Sequence, residues 1–69
     1  MFNKETARDF ILKLYRQRDV RPDQTYPAKP LWQKCLSAGM SQRLFDETMA
    51  LLAEESVIDR EGKLLRDLN

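Results

Sequence analysis

KPLWQKCLSAGMSQRLFDETMALLAEESVIDREGKLLR, residues 29–66, is the stretch whose reading decides the fold. Leu31, Trp32, Cys35 and Leu36 share one face at helical spacing, which predicts a helix over 30–38. Pro30 opens it, at a position where the missing N–H would be unpaired anyway. Gly39 stops it, because glycine enters the left-handed conformation with no Cβ penalty. Met40 follows, and Ser41 is a good N-cap for the next helix. Leu44, Phe45, Thr48, Met49, Leu51 and Leu52 form a wide apolar stripe, so 42–55 reads as a longer helix. Its other face carries Gln42, Arg43, Asp46, Glu47, Ala50 and Glu54. Val57-Ile58 reads as a short strand, and Asp59-Arg60-Glu61-Gly62 as a turn, which predicts pairing of 57–58 with 64–65. Residues 63–68 read two ways: Leu64, Leu65 and Leu68 also fit a helical face, while Gly62 after a β-branched pair favours the strand.

Upstream, Ala7, Phe10, Ile11, Leu14 and Tyr15 recur at spacings of three and four, predicting a first helix over 4–18. Asn3 is its N-cap, Glu5 lies in its first turn, and Arg16 and Arg18 in its last, as the helix dipole favours. Pro22 and Pro27 break the connector, residues 19–29, and Thr25-Tyr26 between them is a short extended piece. The aromatic residues Phe10, Tyr15, Trp32 and Phe45 fall on apolar faces and are assigned to the core. Tyr26, held between prolines, is expected to be partly exposed and available as a contact point.

Sixty-nine residues make a single domain, 1–69. A chain this short buries only about 60% of its unfolded surface, so a homodimer or a larger partner would help it. Hydrophobic residues are 42% and charged residues 33%, as in a soluble globular chain and too apolar for a disordered one. One cysteine allows no internal disulfide. No leader is expected, because Met1 to Asn3 runs straight into charged residues, and no apolar run approaches a membrane span. The default setting is therefore the reducing cytoplasm. The net charge of +1 conceals two unlike halves. Residues 1–40 hold eight basic and four acidic side chains, net +4; residues 41–69 hold four basic and seven acidic, net −3. Opposed halves suit an oriented partner or a mixed, solvated surface.

Catalysis is not expected. There is no histidine, so the commonest general base and metal ligand is absent. Cys35 sits beside Leu31 and Leu36, where a thiol packs and does not react. A lone cysteine makes no zinc site, and the two glycines are too far apart to cradle phosphate. No cofactor or metal is expected.

Leu31 to Ser41, then Leu44-Phe45 and Leu51-Leu52, then Val57-Ile58 and Glu61-Gly62-Lys63, resemble a winged helix-turn-helix domain. With the first helix the resemblance covers most of the chain. It is a pattern of hydrophobic positions and turns, with no sequence signature. It implies an α+β fold of three helices with a short β-hairpin wing. It also implies a small DNA-binding accessory or regulatory protein, acting in transcription on double-stranded DNA. The third helix would then enter the major groove, with Ser41, Gln42 and Arg43 nearest bases and phosphates. Arg60 and Lys63 would touch the duplex from the wing tip, and Lys34 would meet the backbone. The chain departs from that pattern at Asp46, Glu47 and Glu54, whose charges on the same helix oppose phosphate. The alternative is a protein-interaction module on the same scaffold. It would dock through the acidic third helix or through the basic end of the first, Lys13, Arg16, Arg18 and Arg21.

Overall fold

In a computed structural model, which describes residues 1–68, three helices carry the fold. They are α1 (Lys4–Gln17), α2 (Ala28–Ser37) and α3 (Gln42–Glu54). α1 begins at a capping box: Asn3 Oδ1 accepts from Thr6 N–H at 2.9 Å, and Thr6 Oγ1 accepts from Asn3 N–H at 2.8 Å. Ser41 Oγ accepts from Leu44 N–H at 3.2 Å and caps α3. α2 starts two residues earlier than its proline suggests. Pro30 takes the third helical position, where an N–H still has no partner inside the helix.

All three helices end in the same way. Asp19, Gly39 and Ser56 each adopt positive φ one residue past the C-cap. The next N–H reaches back to the third-last helical carbonyl: Val20 to Tyr15 at 3.1 Å, Met40 to Cys35 at 3.0 Å, Val57 to Leu52 at 2.9 Å. These are Schellman closures, and each turns the chain sharply back onto the core. Val20, Met40 and Val57 enter that core or lie against it.

The core gathers Ala7, Ile11, Leu14 and Tyr15 of α1, Leu31 and Cys35 of α2, Leu52 of α3, and Met40, Val57, Ile58 and Leu64. α1 packs mainly on α3. Thr48 is buried among these apolar groups, and its hydroxyl donates to the Leu44 carbonyl at 2.7 Å. Two sequence expectations fail here. Leu36 stays 55% exposed, one position off the buried Leu31–Cys35 line. Tyr26 is fully buried, not exposed: its ring centroid lies 5.1 Å from that of Tyr15, with the Arg18 guanidinium 4.7 Å above it. The Tyr26 backbone N–H donates to the Gly62 carbonyl at 3.1 Å, which ties the residue to the core.

The expected α+β winged architecture does not form. Among the described residues there are two isolated antiparallel bridges, Ile58↔Leu64 and Thr25↔Lys63, and no sheet, so the fold is essentially all-α. The turn and its register are as the sequence suggests, with Asp59 N–H donating to the Lys63 carbonyl and Leu65 N–H to the Val57 carbonyl. What fails is length. Val57-Ile58 has only two residues between the left-handed Ser56 and the turn, and Thr25-Tyr26 runs straight into Pro27 and α2. Segments this short cannot build a ladder. Residues 63–68 are not helical either. Among the described residues, no helix is long and apolar enough to cross a membrane.

Candidate functional site

A groove of about 650 Å³ runs along one side of α3. Two columns of that helix, each stepping by four residues, form its wall. Phe45, Met49 and Ala53 make the apolar column, and Asp46, Ala50 and Glu54 make the column beside it. Ala28 and Leu31 of α2 close one side, and Arg60, Glu61 and Gly62 of the turn close the other. Much of the room comes from residues with little or no side chain: Ala28, Ala50, Ala53 and Gly62.

The turn is held to the core from behind. Tyr15 hydroxyl donates to the Gly62 carbonyl at 2.7 Å, and Tyr26 N–H donates to the same oxygen at 3.1 Å. Asp59 Oδ1 accepts from Glu61 N–H and Lys63 N–H, both at 2.9 Å. Burial raises the Tyr15 phenol well above its ordinary range, and the charge of Asp59 and the neighbouring Tyr26 add to that. The phenol stays protonated as a donor and ties the groove's rim to the core. Trp32 on α2 supports Phe45, with ring centroids 5.1 Å apart.

The rim is acidic. Asp46, Glu54 and Glu61 border the groove, against one cation, Arg60. Among the described residues, none of these four enters an ion pair. Other acids do: Glu47 with Arg43 at 3.1 Å and Lys4 at 3.8 Å, Glu55 with Arg8 at 3.0 Å, Asp19 with Arg21 at 3.1 Å, and Asp23 with Lys63 at 3.9 Å.

The residues singled out for nucleic acid are dispersed. Ser41 and Arg43 border a small hollow of about 330 Å³ with Phe2, Leu44 and Glu47. The Ser41 hydroxyl is engaged in its cap, and Arg43 Nε donates to Glu47 Oε1 at 3.1 Å. Arg60 lies on the acidic groove instead. Gln42 and Lys34 are exposed, Lys63 is half-buried, and none of the three lines either hollow. Cys35 is fully buried, and burial pushes its thiol up to about 11. Sequence reasoning missed Met49 and Ala53 as a surface, and placed Ala50 on the exposed face without giving it a role. The signal was the breadth of the α3 stripe: a single buried face needs fewer positions than Leu44 to Leu52 supply. No family model, curated protein or solved structure matches this chain.

Proposed function

We propose that this chain is a non-enzymatic protein-interaction module, a three-helix scaffold that presents the α3 groove to a partner. The groove itself carries the reading. A domain this small has little apolar surface to spare, yet Phe45, Met49 and Ala53 are left lining an open hollow. Concave apolar surface ringed by polar groups is the usual form of a recognition site. The one soft nucleophile is sealed in the core, which argues against covalent catalysis. A single free thiol suits a reducing, cytoplasmic setting.

Binding of double-stranded DNA through Lys34, Ser41, Gln42, Arg43, Arg60 and Lys63 is the competing reading. It is the weaker one, because Arg43 is already matched by Glu47 and Arg60 stands among carboxylates. Isotope-labelled protein titrated with nonspecific duplex DNA, at low and then moderate salt, separates the two. The docking reading expects no amide shifts at either salt. Shifts at residues 42–43, 60 and 63 that fade steeply with salt would reverse it.

A further inference from the structure

We infer that the occupant of the α3 groove is an amphipathic helix of a partner protein, whose apolar stripe is flanked by lysine or arginine. This rests on the groove being a docking site, and it adds what docks there. Three carboxylates stand on the rim, and among the described residues none enters an ion pair, whereas Glu47, Glu55, Asp19 and Asp23 each have a basic partner. Glu5, Asp9 and Asp59 also enter no ion pair among the described residues, but they do not line the groove; at the groove three carboxylates meet one cation, Arg60, so net negative charge borders the uncovered apolar surface. A ligand that fills the groove must meet both features.

Geometry narrows the choice to a helix. Asp46 and Glu54 are eight residues apart on α3, which is about 12 Å along the axis. A helix lying alongside would place cations seven or eight residues apart to meet them. Its apolar side chains, at spacings of three and four, would seat against Phe45, Met49 and Ala53. Ala50, between the two acids, lets the partner backbone approach closely. A second copy of this chain fits poorly. Its exposed large apolar side chains among the described residues are Met1, Leu36 and Leu65, which lie on three separate segments and share no helix. The exposed face of α1 is basic at Lys13 and Arg16 but carries no apolar stripe.

Three helical peptides of roughly 16 residues test this. They share one leucine stripe and differ only in the flanking positions: all lysine, all glutamine or all glutamate. Binding is read by amide shifts and by Trp32 fluorescence, since Trp32 packs on the groove residue Phe45. The lysine peptide should bind at least about tenfold more tightly than the glutamate peptide at low salt, with less difference as salt rises. Its shifts should map to residues 45–54 and 60–62. In protein carrying Asp46→Asn with Glu54→Gln, the preference should shrink to less than about threefold. Affinity that ignores flanking charge, or a preference untouched by the double substitution, overturns the basic occupant and leaves docking standing. Absence of binding by all three peptides overturns both. Concentration-dependent dimerisation that all three peptides fail to displace overturns the foreign helix in favour of a second copy.

Discussion

On the inner side of the 59–62 turn, the polar groups of Asp59 and Gly62 are bonded within the molecule. The Gly62 carbonyl accepts from Tyr15 and Tyr26, and the Asp59 carboxylate accepts two backbone N–H groups. On the outer side, Arg60 and Glu61 border the groove and enter no ion pair among the described residues. Four consecutive residues thus split into an anchoring face and a presenting face. Substitution inside should change stability, and substitution outside should change recognition and leave stability alone.

The largest effect is expected at Gly62. A Cβ there would lie 2.7 Å from the Tyr26 carbonyl oxygen, and φ is +88°. Clash and left-handed strain add, so Gly62→Ala should cost about 3 kcal/mol or more. That is comparable with the whole stability of a domain this size. Tyr15→Phe is the milder form of the same break. It removes the donor but leaves the Gly62 carbonyl its bond from Tyr26, so about 1–2 kcal/mol should be lost. Urea midpoints measure both, and a wild-type midpoint for Gly62→Ala would show the turn is not clamped.

The anchoring side should also be sensitive to alkali. Burial raises the Tyr15 phenol above its usual range and the Cys35 thiol from 9.0 to about 11. In both cases the native state holds the proton more tightly than the unfolded chain. The stability so gained is complete below the unfolded pKa and is lost as pH climbs through the folded one. Loss should begin near pH 9 through Cys35 and steepen near pH 10, where an unfolded tyrosine ionises, at up to about 1.4 kcal/mol per pH unit for each group. Cys35→Ala with Tyr15→Phe should flatten the curve. Rapid reaction of native Cys35 with thiol reagents would show that burial is not the cause.

The helix ends extend the contrast, because three like closures are built from unlike residues. Gly39 has φ +97° and open space around its missing Cβ, so Gly39→Val should cost about 1 kcal/mol or more from strain alone, less than Gly62→Ala. Ser56 holds φ 58° without that freedom, and Ser56→Gly should gain about 0.5–1 kcal/mol. Equal melting temperatures for all three proteins would mean that left-handed strain is not stored at these caps.

Helix positions were legible because caps and periodicity are local. Asn3, Ser41 and Gly39 place three helix ends by side-chain chemistry alone, and the observed bounds fall within two residues of those expected. The Ile58↔Leu64 register was legible for the same reason, since Gly62 fixes the turn. The absence of a sheet was not. It depends on Ser56 turning the chain at a position where a residue other than glycine gives no warning, which leaves Val57-Ile58 too short to extend. Tyr26 was misread because its burial is set by Tyr15 and Arg18, eleven and eight residues away. The acids of α3 were seen, but whether each is paired depends on distant neighbours. Lys4 reaches Glu47 and Arg8 reaches Glu55, while among the described residues no cation pairs with Asp46 or Glu54.

The smallest effect on stability is expected at the presenting face, and there it is the most informative. Ala50 is exposed between Asp46 and Glu54 and bears no tertiary hydrogen bond. Ala50→Gln exchanges one good helix former for another, so stability should change by less than about 0.5 kcal/mol. The longer side chain fills the notch through which a partner backbone would approach α3. Affinity for the lysine-flanked peptide should therefore drop at least about tenfold while the urea midpoint stays put. Loss of stability together with affinity would mean that the groove wall is part of the anchoring structure. Retention of both would mean that the partner does not lie along α3 and that Ala50 faces open solvent in the complex.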